Sequence, residues 1–155
     1  MAEYAEVTDL LTALDGAIDM AMGDIAVVDY VKETLQKSIA ENVYPKYSPT
    51  MYERKRRYAD GGLAATENMV VTNQTGGVLE IEDQAPGHTV QGYWGTVQAD
   101  ERIDDLIEAG GANSYNVAFI NQPPPPPRPF YQAADEMLDK EFLSEMICTA
   151  IEAYI

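Results

Sequence analysis

Residues 121–138 read NQPPPPPRPFYQAADEML, and this stretch joins a proline run to the start of a helical pattern. The run from Pro123 to Pro127 predicts a polyproline II rod, which has no internal hydrogen bonds and extends by about 3 Å per residue. Such a rod cannot enter a helix or a central strand, because proline lacks the backbone N–H that both require. Arg128-Pro129-Phe130 follows with a basic tip and an aromatic side chain that can be buried. The stretch therefore predicts a proline-rich arm at residues 121–130, acting as a rigid connector or, alternatively, as a PxxP ligand of a proline-binding domain.

Two amphipathic helices are predicted at the N-terminal end of the chain. Apolar residues recur at helical spacing over Thr8–Met22, with Thr8 or Asp9 as the cap. Gly23 is expected to end this helix, and Asp24 to cap a second helix that runs to about Val43.

The middle of the chain predicts strands and a short helix. Leu63–Thr72 and Val78–Glu82 are candidate strands, and the turn between them has glycines suited to positive φ, so they indicate an antiparallel pair. A short helix over 101–109 and a possible strand at 115–120 follow, before a final helix at about 132–154. The prediction is an α+β fold in one domain, 1–155, with an antiparallel sheet packed against flanking helices.

The charge of the chain limits its partners. It has 26 acidic and 10 basic residues, a formal net charge of −16. Such a balance argues against unspecific adhesion to nucleic acid or to an anionic membrane. Cys148 is the only cysteine, so no intramolecular disulfide can form. Met1–Glu6 lack the basic start and apolar run of a signal peptide, and we expect a cytoplasmic site of synthesis.

Four of the ten positive charges form one run, Arg54–Arg57, within a predicted extended loop at 44–62. The mixture of arginine and tyrosine there fits a nucleic-acid contact. The preferred interpretation is docking against an acidic neighbour, because copies that carry −16 repel one another unless positive segments lie where they touch. The candidate subunit-interface residues are Tyr47, Tyr52, Arg54, Lys55, Arg56, Arg57, Tyr58, Arg128 and Phe130.

Catalytic, cofactor-binding and metal-binding residues are not predicted, and we expect no enzyme. His88 is the only histidine and has no cysteine or second histidine near it in sequence, so a plain loop residue is preferred. Cys148 is expected to be a buried structural thiol on the last helix. Glu80, Glu82 and Asp83 could bind a hard cation, but a solvated strand face is preferred.

Four short motifs, taken in order, resemble the small neck and tail-completion proteins of tailed bacteriophages, the head–tail joining or tail-terminator-like family. The motifs are Tyr52-Glu53-Arg54, a Gly-x-Leu hairpin entry at Gly62–Val71, Leu106-Ile107-Glu108-Ala109-Gly110, and Arg128-Pro129-Phe130-Tyr131-Gln132-Ala133-Ala134. The pentaproline and the separate N-terminal helix depart from the family pattern. The resemblance covers about residues 27–142, and the order and spacing of the motifs carry it.

The resemblance implies a structural virion protein in the tail or neck that forms a homo-oligomeric ring, hexameric in this family, at the head-proximal end of the tail. Its partners would be itself, the tail-tube protein and the head-completion or connector proteins. Genomic DNA would only pass through the lumen, and no membrane and no cofactor would be involved. The ring would assemble in the cytoplasm of the host bacterium.

Two alternatives stay open on the sequence alone. One is another neck, connector or minor head protein of a phage or phage-like particle. The other, of a different class, is a cytoplasmic accessory protein that binds nucleic acid through the basic tyrosine-rich loop. A steep loss of affinity with added salt would mark the second, because phosphate contacts release counterions.

Overall fold

The computed structural model describes residues 6–45, 62–85, 107–108 and 127–155, together with the backbone of 90–92 and 95–97. These residues form helices and antiparallel hairpins, so the predicted α+β class is confirmed. Within the described ranges, no helix combines the length and apolar character needed to cross a bilayer. The predicted strand at 115–120 lies outside the described residues.

Residue contacts divide the chain into two compact units. Unit 1 comprises Met1–Thr34, Val71–Glu82 and Leu138–Ile155, and unit 2 comprises Leu35–Val70 and Asp83–Met137. The predicted organisation as a single domain stays a prediction.

Helices α1 (Val7–Met22) and α2 (Ile25–Asn42) confirm the two predicted N-terminal helices. The expected cap of α1 is wrong: the helix starts one residue earlier, and Glu6 is its N-cap residue without a capping side-chain hydrogen bond. Asp9 lies in the first turn instead, where a carboxylate interacts favourably with the helix dipole.

The junction between α1 and α2 follows the predicted signals. Gly23 is the C-cap residue of α1, and its N–H donates to the carbonyl of Met20 at 3.1 Å. The N–H of Ala26 donates to Asp24 Oδ1 at 2.9 Å, so Asp24 caps α2 as predicted. A side chain at position 23 would meet the Gln74 side chain, which lies 2.5 Å from where a Cβ would stand.

The final helical region is two helices, α3 (Phe130–Met137) and α4 (Lys140–Tyr154), and the prediction of one continuous helix is wrong. Asp139 causes the break. Its backbone is extended and its Oδ1 accepts hydrogen bonds from the N–H groups of Glu141 and Phe142 at 3.1 and 3.0 Å. Apolar periodicity continues across the break, which is why the pattern alone did not reveal it.

In unit 1, α4 packs against α1. In the described part of this unit the buried apolar residues are small, being Ala17, Ala21, Val27 and Ala150. The Tyr30 hydroxyl accepts a hydrogen bond from the N–H of Asp139 at 3.0 Å. The Tyr30 ring also meets that of Phe142 edge-on, with centroids 5.2 Å apart.

Strands β1 (Met69–Asn73) and β2 (Glu80–Asp83) form the predicted hairpin. Their connection is too short for a parallel crossover, so the pair is antiparallel. Gly76 and Gly77 have φ of 68° and 70°, the left-handed conformation that glycine adopts without a Cβ clash. The N–H of Gly77 donates to Asp19 Oδ1 at 3.0 Å, which fixes the turn to α1.

The first strand is shorter than predicted. Residues 63–65 are buried in succession, whereas a strand with one covered face buries alternate residues, and Thr66–Asn68 is a 3-10 turn. The backbone of Ala64 bonds to side chains rather than to a ladder: its N–H donates to the Tyr44 hydroxyl at 3.1 Å, and its carbonyl accepts from Gln36 Nε2 at 2.6 Å.

A second hairpin, β3 (Val90–Gly92) with β4 (Gly95–Val97), was not predicted. The strands are antiparallel, with Val90 opposite Val97 and Gly92 opposite Gly95. Strands of three residues are too short to show an alternating pattern, so the sequence signal was absent.

Candidate functional site

The site is built around the first turn of α3, where Arg128-Pro129-Phe130-Tyr131 meets Ile107-Glu108 and α2. We call these residues, with Ser38, the RPFY junction. All of them belong to unit 2. Ile107 and Glu108 are helical, as expected for the predicted short helix, whose other residues lie outside the described part of the chain.

Pro129 leaves the start of α3 without a side-chain cap of its own. Its carbonyl accepts the first helical hydrogen bond, from the N–H of Ala133 at 3.2 Å, so Pro129 occupies the N-cap position. A proline side chain has no oxygen with which to cap the free N–H groups of the first turn. Water or another residue can supply the acceptor.

Glu108 supplies it. Its Oε2 accepts hydrogen bonds from the N–H groups of Phe130, at 2.8 Å, and Tyr131, at 3.3 Å. The carboxylate also places a negative charge at the positive end of the helix dipole. A second bond runs beside it, from the N–H of Arg128 to the carbonyl of Ile107 at 3.0 Å. Two segments about twenty residues apart are thus joined through three backbone donors.

Phe130 anchors the junction in the core of unit 2. Its side chain is 0% exposed, and its ring lies against that of Tyr131 with centroids 4.5 Å apart. Ser38 of α2, also fully buried, donates its hydroxyl to the carbonyl of Phe130 at 2.6 Å. Because a buried hydroxyl without a partner is costly, this bond fixes α2 against the start of α3.

Tyr131 extends the junction to the end of β2. Its hydroxyl accepts a hydrogen bond from the N–H of Asp83 at 2.8 Å. Asp83 is fully buried and its Oδ1 accepts from the N–H of Ala85 at 2.8 Å, so the predicted solvated face for this residue is wrong. The alternating strand pattern did not reveal the burial of Asp83, because this residue is the last of β2. Its carboxylate accepts a hydrogen bond from the backbone of the turn that follows.

The predicted interface residues fall into two groups. Arg128 and Phe130 come together in the RPFY junction, where both are buried, at 8% and 0% exposure. Phe130 therefore contributes to the core of unit 2 in this structure, and Arg128 is also buried there. The others, Tyr47, Tyr52, Arg54, Lys55, Arg56, Arg57 and Tyr58, lie outside the described residues, as do Pro123–Pro126. The interface assignment stays a prediction.

The remaining chemical candidates are few. Cys148 is exposed, and the expectation of a buried thiol is wrong, because α4 turns Ala150 rather than Cys148 towards the interior. Among the described residues, no three His, Cys, Asp or Glu side chains are grouped so as to hold a metal ion. His88 lies outside them.

Sequence reasoning did not identify the roles of Glu108, Ser38 and Tyr131. One signal was available. A helix that starts directly after Arg-Pro has no side-chain cap of its own, so its first N–H groups are left for water or for an acceptor from another segment. Nothing in the spacing indicated that Glu108 would provide it.

Comparison with known proteins gives one positive finding. No curated protein and no solved structure is significantly similar to the chain. One family model, described as YomN, matches residues 6–155, which is nearly the whole sequence. The match includes both segments of the RPFY junction. The chain therefore belongs to the YomN family, a phage-derived family.

Proposed function

We propose that this protein is a structural component of a tailed phage particle, forming a ring at the head-proximal end of the tail. In that position it stops growth of the tail tube, caps it and presents a surface to the filled head. The observation that carries the proposal is membership of a phage-derived family over residues 6–155. The order of motifs shared with neck and tail-completion proteins supplies the specific role.

The RPFY junction supports the proposal in one respect. Two of the motifs that suggested the resemblance, around Glu108 and around Phe130, are in direct contact through the bonds from Phe130 and Tyr131 to Glu108. Motifs that make one structural unit are expected to occur together and in fixed order. The junction is also occupied by packing and backbone capping, which suits a mechanical rather than a catalytic role.

The charge is compatible with a DNA conduit. A chain with a formal net charge of −16 has few cationic side chains that could bind DNA phosphates and release their counterions. DNA that passes through a ring of such chains would not be retained on its wall. Under the proposal, the partners are other copies, the tail-tube protein and the head-completion proteins, and the site of assembly is the host cytoplasm.

Deletion of the gene from the phage genome tests the role. We expect filled heads and tail tubes that are not joined, or tubes of uncontrolled length, in electron micrographs of lysates. A plasmid copy of the wild-type gene should restore joined particles. Mass spectrometry of purified wild-type particles should find the protein, and antibody labelling should place it at the neck.

Other results would redirect the assignment. Protein found on heads that lack tails, with normal free tails in the deletion, would favour another neck or connector protein. A protein absent from particles that binds DNA at low salt and releases it as salt rises would favour the nucleic-acid accessory role. Infectious particles of normal yield from the deletion would contradict a role in the virion.

A further inference from the structure

We draw no further inference here: the strongest candidate, the exposed apolar surface patch at the N-terminal end of α1 (Val7, Leu10 and Leu11), carries nothing, because nothing in the structure shows what covers it.

Discussion

At the scale of single residues, Glu108 connects sequence to structure most directly. Pro129 occupies the N-cap position of α3 but has no side-chain acceptor, and Glu108 Oε2 accepts from the first two N–H groups of the helix. The Glu108 carboxylate therefore caps α3 from a distant segment, whereas α4 is capped by Asp139, the residue directly before it. It also joins two segments of unit 2 that are distant in sequence.

Glu108→Ala should lower the free energy of unfolding by about 1 kcal/mol, the usual cost of a lost N-cap acceptor. Glu108→Gln should cost less, because the amide oxygen still accepts a hydrogen bond although the charge interaction with the helix dipole is lost. Denaturant unfolding of purified protein measures both. Glu136→Ala is the control, since this exposed residue of α3 bonds only to Gln132 at its surface, and an equal loss there would contradict the capping role.

At the scale of elements, glycines show why α1 and the β1–β2 hairpin take their forms. Gly16 lies inside α1 with open space around it, whereas Gly76 and Gly77 hold the positive φ of the hairpin turn. A glycine-to-alanine substitution is expected to change the free energy of unfolding in opposite directions at these positions. In the helix it removes the entropic cost of glycine, and in the turn it introduces a Cβ into a conformation that L-residues avoid.

Gly16→Ala should raise the free energy of unfolding by about 0.5–1 kcal/mol, and Gly77→Ala should lower it by about 1–2 kcal/mol. In the second variant the new Cβ also lies 3.5 Å from Ile18 Cγ2, an ordinary contact, so the cost comes from the backbone. Thermal and denaturant unfolding of the two variants measure the signs. A stabilising Gly77→Ala would show that the turn does not adopt a left-handed conformation in solution.

At the scale of the whole molecule, the two units differ in what they bury. Among the described residues, unit 2 encloses Phe130, Ile39 and Met69, while the buried apolar residues of unit 1 are three alanines and Val27. Unit 1 carries most of the formal net negative charge, −12 against −4 for unit 2. Stability is therefore expected to depend chiefly on unit 2.

Substitutions of two phenylalanines, one in each unit, test this difference in burial. Phe130→Ala should lower the free energy of unfolding by about 3–5 kcal/mol, the cost of emptying a fully buried aromatic site. Phe142→Ala, at 47% exposure, should cost only about 1 kcal/mol, mainly through the lost edge contact with Tyr30. Similar losses in denaturant unfolding would contradict the division between the units.

Local signals determined several features of this protein without the tertiary structure. Helical periodicity and the Gly23-Asp24 pair set α1 and α2, and the Gly76-Gly77 turn set the first hairpin, because these features depend on neighbouring residues only. The α+β class followed from them. The motif order also indicated a neck or tail-completion protein of a phage. Membership of the YomN family confirms the phage origin, and the specific role stays a proposal.

The tertiary structure decided what depends on distant partners. Periodicity could not reveal the break at Asp139, because apolar spacing continues through it while the cap interrupts the backbone. Nor could sequence show that Glu108 caps α3, that Asp83 is buried, or that Leu10 is exposed on a face that Ala17 and Ala21 bury. Burial and capping across the chain are set by which segments meet, and residue spacing along one segment carries no information about its distant partner.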